Sequence, residues 1–374
     1  MIVEKMKLER VDALYCAKAF HDYFNNFGTI EQYMRDEKLK SLDNIPTSLF
    51  PIEDDLFSDF SMHPKDMDIE VCEIPNDTWE TLLSITSSHV NKAPVGRNIQ
   101  LAVREKNSQK ILGFIRLGSP VIYMKPRNDM LGQVWIQQTD SAQRFNQSTI
   151  MGFVIVPSQP FGFNYLGGKL LSAICTSHTV REICNKKYGM NLCLFETTSL
   201  YGSTKQVSQY DGMKPYIRFK GLTESDMVPM MHGDRYNTLK DYVEDKVGDL
   251  LGGDESTTSR KLRSFTKIIA LTKAALKGTD EGLAFSLTIE NAKRLTEKKR
   301  YYVSDYGFSN MVDYMNCKAD QLVKGENYEK HELVNIIEWW RSKAINRYDT
   351  LKTEGRLRTE LEVWTSGKDI QIIR

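Results

Sequence analysis

No apolar run in this chain approaches the roughly 18–20 residues that cross a bilayer, which excludes a membrane-spanning helix. No basic-then-apolar leader opens it either, so a cytoplasmic site and no membrane partner are expected. The six cysteines (Cys16, Cys72, Cys175, Cys184, Cys193 and Cys317) form no CxxC pair, which removes the usual grounds for a zinc knuckle or a disulfide framework. No metal site is expected. Cys175 and Cys184 flank His178, but nine residues of one helix separate them onto different faces, and they read as buried thiols. There is almost no net charge, +1, so the chain as a whole has no electrostatic pull on a polyanion. Internal repeats and low-complexity tracts are absent as well.

What is present is ample core material. With 374 residues, 41% apolar and 10% aromatic, the chain can form two domains, or one domain with large additions. Its charge is unevenly spread: residues 31–80 carry fourteen acids against four bases, and residues 256–300 carry eleven bases against four acids. A local basic surface is therefore available to a polyanion, or these are ordinary solvated helix faces.

Three segments are expected. Residues 1–95 are helical, irregular and acidic, with "VDALYCAKAFHDYF" at helical spacing and "DNIPTSLFPIEDDLFSDFSMHP" as a connector. Residues 96–235 hold strands at 98–104 and 110–118 joined by "EKNSQK", then "STIMGFVIVP", a loop, a helix from about Leu166 to Tyr188, and "NLCLFETTS". Strand, loop, helix, strand implies a crossover between parallel neighbours. Residues 236–374 read as helical and locally basic, with "LLGGDESTTSR" as a hinge and Gly278 closing "SRKLRSFTKIIALTKAALKG". In "HELVNIIEWWRSKAINRY", Leu333, Ile336, Ile337, Trp340, Ala344 and Tyr348 form one apolar stripe.

The chemistry centres on the loop in "VIVPSQPFGFNYLGGKLLSAI", residues 154–174. Gly162, Gly167 and Lys169 nearly spell a Walker A loop, but Gly168 stands where the lysine is needed and Leu170 where a magnesium-binding hydroxyl is needed. A nucleoside triphosphatase is thereby disfavoured, and the GxGxxG pattern of dinucleotide binding is absent. A strand ending in free amides before a helix N-terminus still suits a pyrophosphate.

The run "MGFVIVPSQPFGFNYLGGKLL…REICNKKYGMNLCLFETTSLYGSTKQVSQYDGM" resembles the core of the GNAT N-acyltransferase superfamily. That resemblance implies an α/β (α+β) fold with a GNAT-like mixed central sheet, helical segments on both sides and an acyl-CoA cofactor, a choice that the residues alone leave open. It places Val156 on the strand beside the donor, with Gln159, Gly162, Asn164, Gly167, Gly168 and Lys169 along the donor loop, and gives Tyr210 the role of acid to the leaving thiolate. Asn164 and the extra residues before Gly167 depart from the family's pattern. Across residues 98–225, "FNYLGGKLLSAICTSHTVREICNKKYGMNLCLFETTSLYGSTKQVSQYDGMKPY" and "GLTESD" also resemble the DruA-like family, which accompanies transposase genes, the Druantia anti-phage system and phage genomes. A fold-level likeness extends to Mom-type transferases that modify adenine in phage DNA.

Acyl transfer to an amine needs a base, a donor to the oxyanion and an acid. Glu196, at the end of "NLCLFE", is the candidate base, or else the partner of Lys205 or Arg218. Tyr201 and Tyr210 compete as acid, and Thr197, Thr198 and Ser199 are ligand-binding or turn-capping hydroxyls. His178, eleven residues beyond Gly167 and so about 16 Å along a helix, is too far from the loop to serve it. For nucleic acid, the candidates are Arg260, Lys261, Arg263, Lys267, Lys298, Lys299 and Arg300. The expectation is a GNAT-like transferase of phage or defence origin that acts on or binds nucleic acid. The alternative is a non-catalytic DNA-binding or assembly protein, virion-associated in one version, that keeps the fold. Nothing in the sequence fixes the oligomeric state.

Overall fold

The structure, a computed structural model, describes residues 6–25, 30–42, 52–88, 90, 94, 96–132, 138–199, 208–223, 230–231, 233–252, 260–294 and 299–364. Seven strands form one sheet: β1 (Ile69–Cys72), β2 (Asn98–Glu105), β3 (Ile111–Gly118), β4 (Thr149–Pro157), β5 (Leu194–Thr198), β6 (Arg218–Leu222) and β7 (Arg300–Ser304). The helices before residue 150 are α1 (Arg10–Phe24), α2 (Ile30–Leu42), α3 (Asn76–Thr86), α4 (Lys125–Leu131) and α5 (Thr139–Ser148). Between β4 and β5 come α6 (Phe161–Tyr165), α7 (Gly167–Ile174) and α8 (His178–Tyr188). After β6 come α9 (Gly233–Val247), α10 (Arg260–Ala275) and α11 (Asp280–Arg294), and after β7 come α12 (Met311–Met315) and α13 (Leu333–Thr353).

Two compact units divide the chain, Met1–Tyr33 with Ser225–Glu297, and Met34–Glu224 with Lys298–Arg374. These boundaries cut across the expected segments 1–95, 96–235 and 236–374, because the apolar stripes find cover at long range. In the smaller unit, Phe20 of α1 lies 5.3 Å from Phe265 of α10 and 5.5 Å from Phe285 of α11, ring centre to ring centre. The hydroxyl of Tyr242 on α9 donates to Asp12 of α1 at 2.7 Å.

The larger unit is built on the sheet, in the order β1-β2-β3-β4-β5-β7-β6. The first four strands are antiparallel, β4 and β5 are parallel, and β5, β7 and β6 are antiparallel. An α+β fold with a mixed sheet is thus observed. Every residue of β3 is buried, as a central strand covered on both faces requires. On one face lie α7, through Leu170, Leu171 and Ile174, and α13, through Ile336, Trp340, Ala344 and Tyr348. Trp340 donates its indole N–H to the Tyr165 carbonyl at 2.7 Å, tying α13 to α6. The other face is covered by α3, whose Trp79, Leu82 and Leu83 pack with Ala102, Phe114 and Val154.

Three expectations are corrected. The single helix from Leu166 to Tyr188 is two, because Ser177 turns its side chain to accept from the Val180 amide at 3.1 Å and starts α8 afresh. The region after residue 235 is not helical throughout, since β7 enters the sheet between β5 and the edge strand β6. Strands β1 and β6 were likewise not expected; they are the two edges, four and five residues long. Residues 253–259 of the expected hinge lie outside the described residues.

Candidate functional site

The parallel pair at the centre of the sheet comes apart. β4 and β5 are paired from Thr149↔Leu194 to Gly152↔Thr197 and no further. Beyond that point β4 stays with β3 as far as Pro157, and β5 stays with β7 to Thr198. The cause is local: between Arg116↔Val154 and Leu117↔Gly152, β4 carries one extra residue, Phe153, and such a bulge bends its strand. The gap opens at the carboxyl ends of two parallel strands, where open α/β sheets receive ligands.

The glycine loop leaves β4 at this gap. Most of its polar groups are engaged within the protein. The Gly162 amide donates to the Ser158 carbonyl at 2.8 Å, Phe163 to the Gln159 side chain at 3.1 Å and Asn164 to the Pro160 carbonyl at 2.8 Å. Asn164 is buried with its side chain bonded at both ends to the Arg358 backbone, 2.8 and 3.2 Å. Val156 packs on the α3 side of the sheet. A Cβ on Gly162 would meet the Gln159 amide at 2.3 Å, which explains the glycine as packing. Gly167 and Gly168 differ: they are the first two residues of α7, and the first amides of a helix have no carbonyl partner within it. Lys169 follows, its ammonium donating to the Asp211 carbonyl at 2.6 Å. Of the six donor-loop candidates, the structure thus leaves Gly167, Gly168 and Lys169 at one helix end, while Gln159, Gly162 and Asn164 hold the loop's shape.

Tyr210 reaches the gap from the opposite wall. Its buried hydroxyl is hydrogen-bonded to the side chains of Thr197 and Gln209, and burial pushes its pKa up to about 12. The Thr197 hydroxyl in turn donates to the Gly152 carbonyl at 3.0 Å, so Tyr210 sits at the last paired rung of β4 and β5. The tyrosine ring lies 5.1 Å from that of Tyr302 on β7. Asp211, which sequence reading passed over, fixes the turn: its carboxylate accepts from the Ser208 amide at 2.9 Å, the Tyr302 hydroxyl at 2.9 Å and the Arg300 guanidinium at 3.1 Å. Hydrogen bonds to the ionised carboxyl, including Tyr302 and Arg300, hold its pKa below the usual range despite partial burial. Tyr201 lies outside the described residues.

Glu196 is not brought to Tyr210. Side chains alternate across a strand, so Glu196 and Thr197 point to opposite faces, and Tyr210 is on the Thr197 side. On its own face Glu196 is fully buried, accepting from Arg127 at 2.9 Å and from the Tyr301 hydroxyl at 2.7 Å. Burial raises its pKa, opposed by Arg127 and Tyr301. The expected base–acid pair of Glu196 and Tyr210 is therefore not assembled, and Glu196 is an ion-pair partner, with Arg127 rather than Arg218 as its cation. Arg218 pairs with Asp305. Arg127 stands 69 residues from Glu196 in the chain, and no spacing signals the pairing.

The remaining candidates are dispersed. His178 is buried at the start of α8, its Nε2 2.9 Å from the Tyr328 carbonyl oxygen, and its ring packs with the half-buried Tyr328 and the buried His331. Among the described residues no cluster of three or more His, Cys, Asp or Glu is placed to hold a metal, and no helix is long and apolar enough to cross a membrane. Arg260, Arg263 and Lys267 share one stripe of α10, within about 60° at 3.6 residues per turn. Lys261 turns away, its ammonium 4.4 Å from the Tyr236 ring centre. Lys299 and Arg300 belong to the other unit, Arg300 stacks on Phe219 at 4.6 Å, and Lys298 lies outside the described residues.

This segment, from the first strand to the Asp211 turn, can be placed among known proteins. Residues 55–212 match the family of the Druantia protein DruA. The chain is similar to the Druantia protein DruA of Escherichia coli (strain UMEA 4076-1), with 24% identity over 190 residues, 46% of either chain. It thus spans about half the length of that curated relative. No solved structure matches it. The DruA-type segment contains β1 to β5, the glycine loop and Tyr210, and stops short of β6, β7 and the helices α9 to α11.

Proposed function

We propose that this protein serves anti-phage defence as a transferase that moves an acyl group from a phosphate-bearing thioester donor to an amine of a nucleic acid. The similarity to the Druantia protein DruA supports the setting. The observation that carries the chemistry is the parting of β4 and β5 beyond Gly152 and Thr197, with the Tyr210 hydroxyl at the fork and the first two amides of α7 beside it. Gly167, Gly168 and Lys169 suit the phosphates of an acyl-CoA, as backbone donors and an ammonium at a helix N-terminus do for anions. An acyl-CoA would supply the acyl group as a thioester. Tyr210, protonated at neutral pH, holds a proton at its hydroxyl for a departing thiolate. Glu196 takes no part as base.

Thermal unfolding with acetyl-CoA, CoA, ATP and a DNA duplex added separately tests this reading, because a ligand of the native state raises the midpoint by mass action. The expected result is a shift with both CoA compounds and none with ATP, lost in Lys169→Ala. Tyr210→Phe should keep the shift and lose transfer by about 10²–10⁴-fold, the size of a general-acid contribution. A shift with DNA alone would overturn the transferase in favour of a non-catalytic DNA binder. The stripe of Arg260, Arg263 and Lys267 favours that second reading.

A further inference from the structure

We infer that the Gln209 side chain and the Asp211 carbonyl form an inhibitory strap over the donor site, and that their contacts with Gly168 and Lys169 must be released for a phosphate-bearing ligand to enter, while Tyr210 keeps its place at the fork. This rests on the reading of Gly167–Lys169 as that site. The turn engages the same groups that a diphosphate would use. A Cβ on Gly168 would meet the Gln209 side-chain oxygen at 2.7 Å, so Gln209 covers that residue. The Lys169 ammonium is taken by the Asp211 carbonyl at 2.6 Å. Burial, with Lys343 nearby, pulls the Lys169 pKa below its ordinary value against the opposing charge of Asp211, and the atom that accepts from the ammonium is a neutral carbonyl. A phosphate oxygen is the stronger partner, because charge-assisted hydrogen bonds exceed those to neutral acceptors.

The strap is held from its far side, independently of the loop. Asp211 binds Arg300 and Tyr302 on β7 and closes the turn on the Ser208 amide. Its hold on β7 can therefore be loosened without touching Gly167, Gly168 or Lys169. A ligand whose competent state is only partly populated binds with an apparent Kd raised by the reciprocal of that fraction. Weakening the strap should then tighten binding with no new contact to the ligand.

The test measures CoA binding by calorimetry to the full chain and to Asp211→Asn and Gln209→Ala, with hydrogen exchange at Gly167–Lys169 in each. Asp211→Asn weakens the hold on Arg300, and Gln209→Ala keeps Asp211 intact, so one variant remains informative if the other misfolds. The expected result is faster exchange at Gly167–Lys169 and affinity raised about tenfold in both, the gain when a competent fraction of about one tenth becomes complete. CoA binding by the parent chain that neither variant improves overturns the strap and leaves the donor site standing. No binding by any chain, with exchange accelerated in the variants, overturns the donor site and the inhibition with it.

Discussion

Arg127 and Glu196 meet inside the larger unit with guanidinium and carboxylate 2.9 Å apart and neither side chain exposed to solvent. Removing one partner of such a pair strands the other charge, at a cost of about 3–5 kcal/mol, whereas replacing both with apolar residues is near neutral. Glu196→Leu and Arg127→Met should each lower stability by about that amount. The double variant should recover most of it. Urea unfolding of the four chains measures this, and loss of activity in Glu196→Gln without loss of stability would restore Glu196 as a base.

His331 supplies a pH dependence of definite sign. It is buried with Nδ1 2.8 Å from the Thr176 carbonyl oxygen, and burial lowers its pKa from 6.5 to about 4. The unfolded chain takes up the proton first, so the stability that His331 contributes is full above about pH 6.5 and is lost as the pH falls towards 4. Glu196, with a raised pKa, acts in the opposite direction in acid. The difference between the parent chain and His331→Asn isolates the histidine. Between pH 7.5 and 5 the parent should lose about 2 kcal/mol more than the variant, read from urea midpoints.

The thiols should divide cleanly. Cys175, Cys184 and Cys193 are buried, and burial raises all three pKa values, that of Cys184 to about 12, while Cys317 is exposed. Because the thiolate is the nucleophile, iodoacetamide on the native protein should label Cys317 first and leave those three unmodified until unfolding. Peptide mass spectrometry reads the order.

Three phosphate contacts are expected of the α10 stripe. If Arg260, Arg263 and Lys267 each neutralise one phosphate of a duplex, replacing all three with alanine should flatten the plot of log affinity against log salt by about 2.7. Replacing Lys261, which faces Tyr236, should leave the slope unchanged. Titrations from low to moderate salt test both.

Gly113 of β3 lies directly beneath Leu171 of α7. A Cβ there would meet Leu171 Cδ2 at 2.5 Å, the Val156 carbonyl at 2.7 Å and Pro157 Cα at 2.8 Å. Two of those atoms are backbone and cannot yield, so Gly113→Ala should cost about 1–3 kcal/mol as overpacking. Thermal unfolding decides it.

The hairpin of β2 and β3, strand β4 and the parallel partner β5 were legible because each is an apolar run bounded by turn residues, and the connection between β4 and β5 fixes their relation. β7 was not, since "RYYVS" follows a charged stretch and its apolar character lies in tyrosines that also read as a nucleic-acid surface. The break before α8 had a visible signal in Ser177, a cap residue within an otherwise helical run. The loop was found, but which of its residues stay free depends on Arg358 and Asp211, remote partners that no local pattern announces. The failure of Glu196 and Tyr210 to meet follows from a single step along β5, where adjacent residues face opposite ways.

β6 and β7 are hydrogen-bonded neighbours whose ends, Leu222 and Arg300, stand opposite each other in register. An ordinary hairpin turn would be enough to join them, yet residues 225–297 of the smaller unit are threaded between. The sheet therefore waits during synthesis for a strand that emerges only after a whole helical module has been made. That insertion leaves and re-enters the sheet at one rung of one ladder, while residues 1–33 complete its unit from the other end of the sequence: a chain that starts at Met34 and joins Thr223 to Lys299 by a short polar turn keeps every strand of the sheet.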